Sequence, residues 1–455
     1  YVRFESDDTI RYRLYTSSAQ QISMITNAKF RDTTNWYHLV CAVDLSNTTD
    51  NDKAIIYVNG TRQTLGTNIT TSTDTYNSKM LQNGGHYWNL GRYAGYFDGY
   101  MADVHLIDGQ QLDPTYFAET KNGVWIPKEY TGTYGNSGAR LQFKQTGTSS
   151  ASSSTIGADT SGNNNHFDAN NVSAHDSNMP DCPENNFATA LGDGLAEPSD
   201  YQSYNNPSAA EGNLKITGQT GWTNGSSNFG MTSGKWYAEC RINALAGSSY
   251  NRFGMRSRPA RTYDEYFWED TGSAQIDASS SPYSSRVGSY TAGDILMIAL
   301  DLDNNALYFG KNGTWENSAT ATEIANGTVT NAFASGTTLI PNAGASGDGH
   351  AYFFYCNPHP SGTNITWNFG QDSSFAGLET AQGNSDSGSG TTDFYYTPPT
   401  GFLACNSVNL PDVTISPNED TQADDHFNTR LYDGDGQSTN DITGVGFKPD
   451  WTWIK

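Results

Sequence analysis

One polar turn contains several oxygen-bearing side chains that could bind a metal ion. Asp44, Asn47, Asp50 and Asp52 follow each other closely, and carboxylate and amide oxygens are the ligands that Ca²⁺ prefers. The same residue types are the commonest turn formers, because their side chains hydrogen-bond to nearby backbone groups. The sequence therefore offers these four residues as a candidate Ca²⁺ site, the one cofactor considered, with an ordinary turn as the competing interpretation.

Aromatic side chains supply the second candidate chemistry. Tyr93 and Tyr96 lie in one aromatic-rich stretch, and Tyr263, Tyr266 and Trp268 lie in another, TYDEYFWED. Sugar rings stack on tyrosine and tryptophan faces, and loops at the rim of a β-sandwich are a common place for such contacts. We therefore treat these five residues as candidates for glycan binding. Core packing, and for the second stretch a contact between subunits, are the alternatives.

Catalytic patterns are missing from the sequence. Glycosidases need two carboxyl groups facing one groove, and neither Asp98 with Asp103 nor Asp301 with Asp303 has the Glu-x-x-Glu type of spacing. The chain also contains no G-x-S-x-G, HExxH or phosphate-binding loop motif. We predict a protein that is not an enzyme.

Composition excludes several other classes. The 48 acidic residues outnumber the 25 basic ones, giving a net charge of -23, which disfavours contact with nucleic acid phosphates. The five cysteines are scattered without CxxC spacing, so neither a zinc site nor a dense disulfide framework is expected. No apolar run reaches the roughly 18 residues of a membrane span, and we expect no membrane insertion.

Two hairpins would position these candidates. Residues 36–60 contain an apolar strand, Ala-x-Asp-Leu, a polar turn, a second strand and Asn59-Gly60. Residues 294–313 repeat that order and end with Asn312-Gly313. The Asn-Gly pair is a strong hairpin signal. Two copies so far apart indicate an all-β protein with two separate sandwiches.

The first part of the chain carries ordered motifs. IYVNG, FDGYMADVHLIDG and DPTYF, the last as a short helix DPTYFAET, follow one another before residue 120. They resemble a laminin-G, concanavalin A-like jelly roll in the form found in phage tail-fibre and other virion proteins, especially of marine phages. The resemblance implies a first domain over residues 1–145, and we expect its N-terminal strands to lie outside this sequence. Residues 146–212 are rich in Ser, Asn and Gly, which predicts a segment that packs on this domain and links it to the next, with disorder as the competing interpretation.

Further motifs define the second half. SGKWYAE, ALDLDNNALYFGKNGTW and NFGQDSSF resemble a SPRY domain, which implies a second sandwich over residues 213–405. Residues 406–455 hold a connector and the pattern ITGVGFKPDWTWIK. This pattern is similar to the start of a small β unit of phage fibre proteins.

The resemblance implies a function. We expect a structural virion protein, most simply a phage tail fibre or spike, located on the outside of the virion and therefore extracellular. Its expected partners are two further copies of itself in a homotrimer, other virion proteins, and a host-surface polysaccharide or lipopolysaccharide. A capsid-attached head fibre or decoration protein is one alternative, and a glycan-cleaving enzyme is the other.

Overall fold

The computed structural model describes residues 1–16, 19–66, 89–92, 95–121, 124–192, 207–221, 223–247, 250–258, 265–276, 284–336, 351–388, 390–410 and 443–448. All structural statements below concern these residues. The candidates Tyr93 and Tyr263, and most of the C-terminal segment 406–455, lie outside them.

The first part of the chain forms short antiparallel strands. These are β1 Val2–Phe4, β2 Ile10–Thr16, β3 Ala19–Ile25, β4 Leu39–Val43, β5 Ala54–Val58, β6 Thr61–Arg62, β7 Val104–Leu106, β8 Ala118–Lys121, β9 Val124–Pro127 and β10 Ala139–Leu141. β1–β2–β3 and β4–β5–β6 form two three-stranded sheets, and the remaining strands pair as β7 with β10 and β8 with β9. The expected helix is a 3₁₀ helix, Pro114–Tyr116, and the chain turns into β8 directly after it.

One small core holds these sheets together. Ile10, Ile22 and Met24 of the first sheet pack with Ala54 and Ile56 of the second, and all five are fully buried. β4 is mostly half-buried. A strand with one face on a core and one outside is common in antiparallel sheets.

The second half of the chain contains longer strands. These are β11 Ala190–Gly192, β12 Ser208–Ala210, β13 Lys215–Thr217, β14 Gly225–Ser227, β15 Lys235–Ala244, β16 Arg252–Arg258, β17 Glu265–Glu269, β18 Ala274–Ile276, β19 Ile295–Asp301, β20 Ala306–Lys311, β21 Thr314–Trp315, β22 Ala334–Ser335, β23 Ala351–Asn357, β24 Asn364–Asn368 and β25 Leu403–Ala404. The short α-helix α1 spans Ala321–Ala325. Four further 3₁₀ turns in the described residues of the whole chain span Asp50–Asp52, Ala174–Asp176, Ser284–Arg286 and Val329–Asn331.

Two large sheets of this half face each other. One has six strands in the order β11-β14-β23-β16-β17-β18, and the other follows β12-β13-β24-β15-β19-β20-β21 with β22 and β25 at its sides. Trp268 from the first sheet and Trp236 and Trp367 from the second are buried in one core between them. The tandem all-β sandwich architecture is therefore confirmed.

The nine-stranded sheet has a second core on its outer face. Tyr237, Met297 and Tyr308 point away from the main core and are covered by two later segments. One cover contains Ile324, and the other contains Phe394. Every residue of β19 is consequently buried, in agreement with its unbroken apolar sequence.

Both Asn-Gly turns form as predicted. Asn59 and Gly60 have φ angles of 47° and 77°, and Asn312 and Gly313 have 51° and 80°. Positive φ at both central residues is the requirement of the type I′ hairpin turn.

The domain boundaries need a correction. β11 and β12 lie within the predicted linker 146–212, yet they pair with β14 and β13 of the second sandwich. The earlier part of this segment packs on the first sandwich, where the Asp159 carboxylate accepts the Arg140 backbone N–H at 2.8 Å. The second sandwich thus begins before residue 213, because the polar segment supplies edge strands to its sheets.

Candidate glycan-binding sites

Tyr96, one of the five predicted glycan-binding residues, lies on an exposed loop of the first sandwich. We call the described residues 91–92 and 95–101 the rim loop. Its first part is closed by a hydrogen bond from the Phe97 N–H to the Gly91 carbonyl at 2.7 Å and by a β-bridge between Arg92 and Tyr96. The Tyr96 side chain is 74% exposed, and Phe97 is 44% exposed. The Arg92 guanidinium carbon lies 5.8 Å from the centre of the Tyr96 ring. The exposed Tyr96 ring therefore lies next to the Arg92 guanidinium, which has several hydrogen-bond donors.

The base of the rim loop is fixed by a stack of rings. Tyr100 packs on Trp36 with ring centres 6.3 Å apart and an angle of 26°. This packing removes the hydroxyl from water and raises the pKa of Tyr100 well above its usual value, with nearby carboxylates adding to the effect. The Trp36 indole N–H donates to Asp181 Oδ1 at 3.1 Å. The loop thus has an exposed apex on an anchored base.

Asp181 joins the first sandwich to the segment that follows it. Its side chain is buried, and burial raises its pKa to about 7 although Trp36 and the Phe187 N–H donate to it. Asn186 and Asn213 donate side-chain N–H groups to the backbone of Thr34 and Thr33 at 3.2 and 3.1 Å. These bonds tie the first sandwich to residues next to the second.

Two predicted glycan-binding residues are core residues instead. Tyr266 is 4% exposed and Trp268 is 0% exposed, so neither ring offers a face to a sugar. Both point inward from β17, and the Trp268 indole N–H donates to the Gly288 carbonyl at 2.7 Å. Phe267, between them, is covered on the opposite face by the Arg252 guanidinium at 4.0 Å. The prediction was wrong because this strand is covered on both faces, which removes the alternation that marks an exposed surface.

The candidate Ca²⁺ ligands each have a partner within the protein. Asp50 pairs with Lys53 at 2.8 Å, and Asp52 pairs with Arg62 at 2.8 Å. Asp44 accepts the Ser46 N–H at 2.9 Å, and Asn47 accepts the Thr49 N–H at 3.0 Å. Across the described residues, no group of three or more His, Cys, Asp or Glu side chains could hold a metal. The turn interpretation is the one that the structure supports.

Other carboxylates have structural partners. Asp103 lies 2.8 Å from Arg140 and 3.1 Å from His105. Burial would raise the pKa of Asp103, but hydrogen bonds from His105 and Arg140 lower it well below its usual range. Glu239 is fully buried and accepts four hydrogen bonds, from the Tyr237 hydroxyl, the Asn368 amide and the backbone N–H groups of Tyr395 and Tyr396. Burial raises the pKa of Glu239 to about 7.

A shallow depression of about 440 Å³ on the first sandwich was not anticipated. Gln110, Tyr116, Lys128 and Glu129 line it, and Tyr116 is 49% exposed. Asp113 also lines it, with its carboxylate occupied in capping the 3₁₀ helix through the Thr115 N–H at 2.8 Å. All of the lining residues fall between Gln110 and Gly132, but the sequence gives no sign that the Tyr116 side chain is exposed.

Comparisons with known proteins agree with this organisation in part. No curated protein sequence matches the chain. Residues 422–455 match a domain of unknown function, DUF7483. Among solved structures, the SPRY domain of human HERC1 is 18% identical, with a TM-score of 0.25, over 35% of this chain and 88% of that domain. In the described part of the chain, no helix is long and apolar enough to cross a membrane. Residues 1–115 match the concanavalin A-like lectin/glucanases superfamily, so the N-terminal sandwich is similar to the domains of that family.

Proposed function

We propose that this chain is a structural protein of a phage virion, a tail fibre or spike, and that its N-terminal sandwich attaches to a host-surface polysaccharide or lipopolysaccharide. The observation that carries the proposal is the exposed Tyr96 ring of the rim loop. It lies within the 115 residues that match a superfamily described as lectins and glucanases. The phage assignment depends on the motif resemblance described above.

The rim loop has the groups that sugar recognition needs. The apolar face of a pyranose ring packs on a tyrosine ring, and the Arg92 guanidinium beside it donates to hydroxyl or carboxylate oxygens of the sugar. One such contact is weak on its own. A homotrimer would present three copies, and linked weak sites raise the overall affinity by a factor of about 10² or more.

Competition with phage adsorption tests the attachment. We expect excess purified protein to slow adsorption to host cells, and the Tyr96→Ala variant to lose most of this effect. Tyr250→Ala is the matched control, because it removes a tyrosine that is 49% exposed and lies in the second sandwich, outside the rim loop and both depressions. Adsorption that proceeds unchanged with excess wild-type protein, together with no binding to cells, would contradict the proposal.

Immunogold labelling separates the two virion locations. An antibody to this chain is expected to label the tail, and labelling of the capsid would support the head-fibre or decoration alternative. Analytical ultracentrifugation tests the homotrimer, since a single species at the mass of one 49.5 kDa chain would exclude it.

The enzymatic alternative has its own measurement. The superfamily description includes glucanases, so the protein is to be incubated with host polysaccharide and the solution assayed for new reducing ends. We expect none. Their appearance with wild-type protein would replace attachment by cleavage as the function.

A further inference from the structure

The outer face of the nine-stranded sheet is covered incompletely. One cover contains Ala319 and α1, and the other contains Phe394 and Tyr396. Between them lies a depression of about 420 Å³, lined by Met297 of β19, Ala319, Ala321, Tyr396 and Thr397 together with residues of the Asn312-Gly313 hairpin. The gap between the covers therefore leaves an open cleft over a largely apolar floor.

An aromatic pair forms one side of this cleft. Trp315 and Tyr396 line it, and each packs against the outer core with part of its ring left accessible. The Trp315 ring stands edge-on to the buried Tyr237, with centres 6.3 Å apart. Within the described residues, neither the Trp315 indole N–H nor the Tyr396 hydroxyl has a hydrogen-bond partner. Thr314, which is exposed, adds a hydroxyl at the rim. Apolar walls with a few converging polar groups are typical of small-molecule sites.

The cleft is held in one arrangement by buried bonds. The Glu239 carboxylate accepts the Tyr396 N–H at 2.7 Å and the Tyr395 N–H at 2.8 Å, which fixes the segment that carries the Tyr396 ring. On the other side, the Asn312 side chain accepts the Ile295 N–H at 2.9 Å. The Tyr396 ring also lies over Gly313, where a Cβ atom would come within 3.0 Å of it. A site held in place before binding loses less conformational entropy when a ligand arrives.

Charge defines the class of ligand. All residues that line the cleft are uncharged. Burial raises the pKa of Tyr396 to about 12, and Tyr395 and the carboxylates of Glu239, Glu379 and Asp294 add to this effect. The chain as a whole has a net charge of -23. An anionic ligand would meet repulsion here, whereas a neutral one would not.

We infer that this cleft is a second carbohydrate site, which takes a neutral hexose unit and rejects uronic acids and other anionic sugars. The sugar stacks on Trp315, and its hydroxyl groups bond with the indole N–H, the Tyr396 hydroxyl and Thr314. The inference rests on the proposed glycan-binding function but uses a different sandwich from the rim loop.

Direct binding measurements test it. The full chain is titrated with cellotetraose, mannotetraose and galactotetraose as neutral probes and with tetragalacturonate as the anionic probe. Calorimetry gives the affinity, and the intrinsic fluorescence of the ten tryptophans, which include Trp315, gives a second readout. We expect at least one neutral probe to bind and the anionic probe to bind at least about tenfold more weakly.

Matched substitutions locate the site. Ala321→Arg places a long side chain in the cleft, and Thr322→Arg places the same side chain at the next exposed position of α1, outside the lining. We expect Ala321→Arg to weaken the neutral probe about tenfold or more and Thr322→Arg to leave it unchanged. Tyr396→Phe, which removes a single hydroxyl, is expected to weaken binding several-fold. Circular dichroism and thermal melting establish that each variant is folded.

The outcomes separate this inference from the proposed function. If Tyr96→Ala abolishes neutral-probe binding while Ala321→Arg does not change it, the cleft is not a site and the rim loop stands. If Ala321→Arg abolishes it and Tyr96→Ala does not, the cleft is confirmed. Equal loss with Thr322→Arg, preference for tetragalacturonate, or no binding of any neutral probe would overturn the inference.

Discussion

The two hairpins of this protein share one plan but differ in what surrounds them. In each, the asparagine of the Asn-Gly turn bonds back to the first strand through both its backbone and its side chain. The Asn59 and Asn312 N–H groups donate to the His38 and Ile295 carbonyls at 2.9 and 2.8 Å. Their side-chain oxygens accept the N–H groups of the same two residues at 2.8 and 2.9 Å.

The correspondence extends to the other end of the first strand. Counting from these bonds, Asp44 is equivalent to Asp301, and each carboxylate accepts a backbone N–H two residues later. An aromatic ring covers each turn glycine, Trp125 over Gly60 and Tyr396 over Gly313. Local turn chemistry is therefore the same in both copies.

The difference lies in burial. β4 is half-buried beside one small core, whereas β19 is buried between two cores. The same hairpin can thus serve as one wall of a small sandwich or as the centre of a large one. The segments added on the outside decide which, and in the second copy they also create the cleft.

The largest expected loss of stability comes from creating a cavity in each hydrophobic core. Ile56→Ala in the first hairpin and Phe309→Ala in the second remove fully buried side chains, at a cost of about 2–5 kcal/mol each. Because the two residues belong to separate clusters, we expect two unfolding transitions in calorimetry, with each variant lowering only its own. Thr61→Ala, on the exposed β6, is the control. A single transition that both variants lower equally would mean that the sandwiches unfold together.

The second-largest expected effect is a difference in stability cost between substitutions at the equivalent residues Asp301 and Asp44. Asp301 is fully buried, bonds to the N–H groups of Asp303 and Asn304, and lies 3.3 Å from the Lys235 amine. Asp301→Ala removes the carboxylate partner of this amine, which keeps its hydrogen bond to the Ala325 carbonyl at 3.1 Å, and is expected to cost about 3 kcal/mol. Asp44→Ala removes bonds near the surface and is expected to cost about 1 kcal/mol. Urea denaturation of both variants measures the difference, and equal losses would show that burial does not distinguish the two turns.

Asp181 gives a smaller effect that depends on pH. Its pKa is raised from 3.8 to about 7 in the folded protein. Between these values the folded state keeps a proton that the unfolded chain has released, so stability falls as pH rises. Asp181→Asn removes this loss and is expected to stabilise the protein by about 1–3 kcal/mol at pH 8 and by little at pH 4.

Melting curves of wild type and Asp181→Asn from pH 4 to pH 8 measure this effect. Glu239, whose pKa is also about 7 because of burial, is present in both proteins, so its contribution cancels in the difference. A constant gap between the two proteins across this range would contradict the raised pKa. A shift of both unfolding transitions would show that the Trp36–Asp181 bond couples the sandwiches.

The smallest effect concerns the shared turns. Gly60→Ala and Gly313→Ala force a side chain into positive φ and against an aromatic ring, at a cost of about 1–2 kcal/mol in each hairpin. Gly109→Ala, with a φ of 81° and open space around the position, isolates the backbone part of this cost. Unequal losses at Gly60 and Gly313, measured by urea denaturation, would show that the rings hold the two turns differently.

Sequence patterns predicted the local features well. The all-β class, both Asn-Gly turns and the short helix after Asp113 are determined by neighbouring residues, where backbone preference decides the outcome. The pattern could not show which aromatic residues are exposed. TYDEYFWED and the rim loop are both rich in aromatic residues, but Tyr266 lies in a covered strand and Tyr96 lies on an exposed loop. That difference depends on segments distant in sequence.

The cleft escaped prediction for the same reason. Trp315 follows the Asn312-Gly313 turn, but its neighbour in the cleft, Tyr396, is 81 residues later in the sequence (396 minus 315). The buried Glu239 carboxylate holds Tyr396 in place by accepting its backbone N–H. A buried carboxylate on a strand gives no sequence sign of the segment it will bind. Likewise, the charged turn from Asp44 to Asp52 reads as a metal site until Lys53 and Arg62 are seen beside it.

The segments that lead into and out of the second sandwich, which starts before residue 213, are paired with each other. Phe187 pairs with Asn406, the Asn186 N–H donates to the Ser407 hydroxyl at 3.0 Å, and the Ser407 N–H returns to the Asn186 carbonyl at 2.8 Å. The chain therefore leaves the second sandwich at the place where it entered. The second sandwich is thus inserted between two chain segments that lie side by side. It can be excised or exchanged, because the two ends that remain are already within hydrogen-bonding distance of each other.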